Sequence, residues 1–180
     1  PRSYIDPNRH EHDIDVAMLA DAWPGEAASA ARTLALGNGL VSSLTPARKP
    51  IYARRLAARE IAHRIEHYWR PYRRAVAQAL EAAASQGPRW HLNLHSMPSN
   101  AYERLGRVAP GPLADVVLGN LNAQSCSTAF TEIVAGAFRQ LGYSVAVNDP
   151  YAGQDLLREF GAPDGLGGAD THMAISGVNH

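Results

Sequence analysis

The stretch Trp90-His91-Leu92-Asn93-Leu94-His95-Ser96-Met97-Pro98 decides the fold. Residues 89–95 alternate, with Trp90, Leu92 and Leu94 on one side and His91, Asn93 and His95 on the other. A period of two is the strand repeat, so a strand is predicted with its apolar face towards a core. Its polar face is predicted to run out into a loop at Ser96-Met97-Pro98. Upstream, over residues 52–85, Ile61, Ile65, Trp69, Tyr72, Val76 and Leu80 recur every three or four positions, the spacing of an amphipathic helix. Pro71 lies inside that run and predicts a kink or break, because it lacks an N–H and crowds the preceding turn. Downstream, residues 114–119 read as a short buried strand. Residues 126–141 read as a helix with Phe130, Ile133, Val134, Ala137, Phe138 and Leu141 inward. Ser125 or Ser127 would cap its start and Gly142 its end. Residues 143–147 read as another strand, and residues 2–6 as a short one ended by Pro7. Pro and Gly punctuate residues 10–50, which predicts excursions, and the glycine-rich tail from Gly161 predicts a loop that includes Gly177. Strands alternating with helices make an α/β protein, a sheet with helices on its faces.

Composition narrows the function. The 180 residues fit one domain spanning 1–180, and the hydrophobic fraction of 46% and charged fraction of 19% are those of an ordinary globular chain. Seventeen basic groups balance seventeen acidic ones, so no positive surplus points to nucleic acid or to an anionic membrane surface. No apolar run approaches the ~20 residues needed to span a bilayer. Cys126 is the single cysteine, which excludes an internal disulfide and fits a reducing, cytoplasmic setting.

In α/β sheets ligands gather at the carboxyl ends of strands. Three polar clusters are predicted there: Asp6-Asn8-Arg9, His95-Ser96 and Asn148-Tyr151. His95 is either a metal ligand or a hydrogen-bonded structural histidine. Asn93, two residues back on the same face, is placed to orient its imidazole. His91 is too far along the strand, ~13 Å, to share one ion with His95 unless the strand bends. Arg9 presents a planar fork of donors that suits a substrate carboxylate, or equally a structural Asp, and Asn8 adds a donor. Tyr151 lies either on a pocket rim or in packing. His63 and His67 have the i, i+4 spacing of a helical metal pair, but their charged neighbours read as a solvated face. No phosphate-binding glycine loop and no nucleophile elbow occurs, which favours a metal-activated water over covalent hydrolysis.

These blocks resemble the N-formylglutamate amidohydrolase family. Tyr4-Ile5-Asp6-Pro7-Asn8-Arg9 resembles its Val-Asp-Xaa-Asn-Arg signature, and Leu92-Asn93-Leu94-His95-Ser96-Met97-Pro98 its Asp-Leu-His-Ser-Met-Pro motif. Ala114 to Gly119 with Ser125-Cys126, and Asn148 with Pro150-Tyr151 and Gly153, resemble later blocks in family order. The resemblance implies a mixed, twisted sheet flanked by helices, like that of zinc carboxypeptidases. It implies a small-molecule substrate and hydrolysis of N-formyl-L-glutamate to glutamate and formate in histidine breakdown. Zinc, or another divalent metal, would be bound by His95, with Asn93 and Ser96 behind it. Asn8, Arg9, Asn148 and Tyr151 would bind substrate. The other zinc ligands would lie upstream, and the proton-shuttling glutamate beyond His180. On that reading the chain is a fragment truncated at both ends and is expected to be inactive by itself. Two departures stand out: Asn93 replaces the family's Asp, and Gly119-Asn120-Leu121 replaces Gly-Asp-Arg. They leave open a deacylase of another N-acyl amino acid, a carboxypeptidase, or a non-catalytic binding protein on the same fold.

Overall fold

Two carboxylates decide where the long helix begins. Asp21 Oδ1 accepts from the Ala58 N–H at 2.6 Å and Glu60 Oε1 from the Ala57 N–H at 3.0 Å, which satisfies amides that have no partner inside the helix. The computed structural model describes residues 2–45, 47–85, 90–153, 155–160 and 172–179. It starts helix α2 (Ala58–Arg64) there rather than at residue 52. A π-helical turn, Ile65–Trp69, leads from α2 into α3 (Arg70–Ala84). The break expected at Pro71 takes this form. The Arg70 N–H reaches back to the Ile65 carbonyl, and the helix widens just before a residue with no N–H to give.

The chain divides into two compact units, Pro1–Gln78 and Ala79–His180. The first packs Ile5, Ile14, Leu19, Leu40, Val41 and Leu56 against Ile61, Ile65 and Trp69 of the helical run. Residues 10–50 are excursions, as expected, with a 3-10 turn at Val16–Met18, α1 (Ala31–Leu36) and isolated bridges. The strand expected over residues 2–6 does not form. Residues 2–4 are a turn, and the Asp6 N–H to the Leu40 carbonyl, 2.7 Å, is a single tie without a ladder.

The second unit holds a four-stranded mixed sheet in the order β1-β4-β2-β3: β1 (His91–Pro98), β2 (Val116–Gly119), β3 (Val145–Val147) and β4 (His172–Asn179). Short helices α4 (Ala101–Arg104) and α6 (Asp155–Phe160) and the longer α5 (Thr128–Gln140) accompany it. Ser96, Met97 and Pro98, expected in a loop, continue β1, because β4 pairs with it as far as Pro98 against Asn179. The expected tail loop is also corrected in part. Residues 161–171 lie outside the described residues, but 172–179 form β4 in the middle of the sheet. Met173, Ala174, Ile175 and Ser176 are all buried, so the segment shows none of the alternation that marks a half-exposed strand.

Helix α5 begins at Ser127, whose Oγ accepts from the Phe130 N–H at 3.2 Å, and closes at Gly142 with φ +87°. Phe130, Val134 and Phe138 pack with Val116, Leu118, Ala135, Met173 and Ile175. Ile133, Ala137 and Leu141, expected inward, are exposed. They form the neighbouring i, i+4 stripe of the same helix, turned off the packed face. Leu92 and Leu94 share the packed face of the sheet by register, yet they are 42% and 72% exposed at its β1 edge. The burial predicted for them is not found. Trp90 is exposed as well, with its ring stacked on Phe130 at 5.9 Å.

Candidate functional site

The Asp6-Asn8-Arg9 turn is organised by its first member. Buried Asp6 accepts from the Asn8 N–H at 3.0 Å and the Asn8 Nδ2 at 3.2 Å through Oδ1, and from Arg2 Nη2 at 2.8 Å through Oδ2. Arg9 Nε stands 3.9 Å from the same carboxylate, and the Arg9 N–H donates to the Asp6 carbonyl at 3.1 Å. Trp69, at the end of the π turn, donates from Nε1 to the Arg9 carbonyl at 2.9 Å. An Asp two residues before the Asn it holds is a local turn device, so this cluster was legible in the sequence. Both readings of Arg9 remain visible in it: the side chain leans towards Asp6 and retains some exposure, 13%.

On β1, residues His91, Asn93 and His95 share one face and are half-buried. Burial holds the His91 imidazole below its ordinary pKa. In register, His95 lies beside Ser176 and Asn93 beside Ala174. Ser96 points to the opposite face and is exposed, so strand alternation separates it from the His95 imidazole.

Asn148 follows β3 and is clasped to Asn120 at the end of β2. Asn120 N–H donates to Asn148 Oδ1 at 3.0 Å, and Asn148 Nδ2 returns a bond to Asn120 Oδ1 at 2.8 Å. Asn120 is buried. It also donates to Thr131 Oγ1 at 2.9 Å and accepts from the Ala123 N–H at 2.9 Å. The following loop carries Tyr151, which is half-buried. Asp149 anchors that loop by accepting from the Tyr102 hydroxyl at 2.6 Å and Arg107 Nη2 at 2.7 Å. These two donors hold the Asp149 carboxyl below its usual range, and the same hydrogen bond raises the Tyr102 pKa. The Leu121 N–H reaches the Ala152 carbonyl at 2.7 Å. A Cβ on Gly119 would stand 2.9 Å from the Ala152 carbonyl carbon, so only glycine admits this close approach. Sequence reading missed Tyr102, Arg107 and Asp149, whose partners lie more than forty residues apart.

The expected gathering of His95-Ser96 and Asn148-Tyr151 at one sheet edge does not occur. Strand β1 is parallel to β4, β4 antiparallel to β2, and β2 parallel to β3, so β1 and β3 run in opposite directions. Asn148 lies three strand spacings from β1, ~14 Å. Among the described residues no group of three His, Cys, Asp or Glu side chains is arranged to hold a metal ion. A catalytic zinc takes three protein ligands, and the described residues do not make up that set. His180, beyond which the catalytic glutamate is expected, lies outside the described residues. Among those residues, no helix is long and apolar enough to cross a membrane.

A family model described as N-formylglutamate amidohydrolase matches residues 1–168. Among solved structures, the N-formylglutamate amidohydrolase from Ralstonia eutropha JMP134 is similar at a TM-score of 0.90 and 44% identity, over 99% of this chain and 63% of that one. The chain thus spans somewhat less than two thirds of that relative's length. No curated protein matches.

Proposed function

The chain belongs to the N-formylglutamate amidohydrolase family, and from that membership we propose that the protein hydrolyses the formamide bond of N-formyl-L-glutamate, releasing formate and glutamate. The family match over residues 1–168 carries this reading. In it, the Asp6-centred turn presents Asn8 and Arg9 to a carboxylate of the substrate. Arg9 supplies two parallel donors and a full charge, and Asp6 limits the freedom of both side chains before substrate arrives. Asn148 and Tyr151 serve as further substrate contacts in this reading, and the Asn120 clasp and Asp149 anchor fix their loop.

The reading includes a divalent metal, zinc, with His95 as one ligand and Asn93 beside it; the remaining ligands lie outside the described residues. The metal would supply Lewis-acid polarisation and an acidified water. The fold of the whole protein would then be that of the zinc carboxypeptidases, and its place the cytoplasm, late in histidine breakdown. Asn93 and Asn120, uncharged where the family resemblance has Asp, favour one second reading: the same amide hydrolysis on another N-acyl amino acid.

The test is formate release by the full-length protein from N-formyl-L-glutamate and from a panel of N-acyl amino acids, with and without a zinc chelator. Chelator-sensitive release from N-formyl-L-glutamate is expected. Release only from another substrate moves the specificity, and none from folded, zinc-supplied protein overturns the enzyme reading.

A further inference from the structure

We propose that His63 and His67 form a two-imidazole chelate for a divalent cation of the nickel, copper and zinc class on the exposed side of the helical run. Their rings lie with centroids 4.1 Å apart and planes tilted by 45°. In a regular α-helix, residues four apart overshoot a full turn of 3.6. Here the π-helical turn Ile65–Trp69 begins between them, and its wider winding takes up part of that overshoot, bringing one ring over the other. Both imidazoles are exposed, and among the described residues their contacts are ring contacts, His63 with His67 and with Tyr68 at 6.5 Å. Their nitrogen lone pairs are therefore available to a ligand.

The surrounding charges are largely committed elsewhere. Glu66 is bonded to Arg70 at 2.6 Å, and Glu60 to Arg54 at 2.8 and 3.0 Å. Arg64 turns inward, donating to the Tyr4 carbonyl at 3.0 Å and the Tyr52 hydroxyl at 2.8 Å. Arg59 also stands beside His63. With Tyr4, Glu60, His63 and Arg64 it lines an open depression of about 360 Å3 beside His63. Among the described residues no third protein ligand stands with the pair, so the site is open and exchangeable, unlike the closed four-ligand sites that build folds. Imidazole suits zinc, nickel and copper, and copper is the tightest of the series. The site uses neither His95 nor Arg9 and does not depend on the proposed hydrolysis.

The decisive experiment is a zinc titration of the full-length protein, first saturated at any tighter site, followed through the ring resonances of His63 and His67. The two rings are expected to shift together at one further equivalent. His63→Gln or His67→Gln is expected to abolish the response of the remaining ring and to weaken this binding by at least about tenfold, ~1.4 kcal/mol. Both side chains are exposed, so an unchanged metal-free melting temperature is expected for the variants. Rings that do not respond in the wild-type protein, or that respond independently of each other, overturn the proposal.

Discussion

Asn120→Ala removes three side-chain hydrogen bonds at once: the donation to Thr131 Oγ1, the acceptance from the Ala123 N–H, and the acceptance from Asn148 Nδ2. Each is worth ~1 kcal/mol net, and more where a partner is left buried without a replacement. Asn120 is 3% exposed, so water has little access to the space left behind. The expected loss is about 3 kcal/mol, which for a chain of this size lowers the melting temperature by roughly 6–12 °C. Urea unfolding should show a lower midpoint with an unchanged slope. The bond from Asn148 Nδ2 to Asn120 Oδ1 is lost in either single substitution, so the pair should couple in a double-mutant cycle with Asn148→Ala by ~0.5–3 kcal/mol. Asn120→Asp is the sharper control. It keeps both acceptances but sets a carboxylate oxygen against Thr131 Oγ1, whose one proton already goes to the Ser127 carbonyl at 2.9 Å. It should therefore also destabilise, although it restores the residue type that the family motif carries. A loss below ~1 kcal/mol for Asn120→Ala, or additive behaviour in the cycle, would refute the view that this clasp fixes the ends of β2 and β3.

Three further outcomes follow from the same geometry. Ala123 is exposed and left-handed at φ +65°, so Ala123→Gly should raise stability by roughly 0.5–1 kcal/mol in thermal unfolding, because glycine adopts that φ without strain. Glu60 is held at about 2 by the Arg54 fork and the Ala57 N–H, against an ordinary 4.5. A depressed carboxylate contributes stability that is present above pH ~4.5 and lost as pH falls towards about 2. Denaturant midpoints of Glu60→Gln should therefore be less pH-dependent than wild type across that window. Under the proposed hydrolysis, Arg9→Ala in the full-length protein should raise the KM for N-formyl-L-glutamate by ~10–100-fold with a smaller change in kcat, and Arg9→Lys should fall between, because a point charge replaces the fork. An unchanged KM would leave Arg9 as the structural partner of Asp6.

The parts legible in the sequence are those set by near neighbours. The Asp6-Asn8-Arg9 turn, the Ser127 cap, the end of α5 at Gly142 and the strand character of residues 91–95 each depend on residues only a few positions apart. A side chain three residues from an amide, or a period of two, carries its own physical meaning. The family blocks were legible for the same reason. Tertiary structure decided the rest. Residues 172–179 became a central strand because β1 and β2 cover both its edges, which no local pattern announces. Leu92 and Leu94 are exposed because α5 packs elsewhere on their face, and periodicity gives the face of a strand but not what covers it. The separation of His95 from Asn148 follows from strand directions, and these are fixed by pairings between segments far apart in the chain. Asn120 illustrates both sides: the sequence showed an uncharged residue where the family motif has Asp, and only the folded structure showed Thr131 Oγ1, an acceptor that the Asn120 amide reaches with a proton and a carboxylate would not.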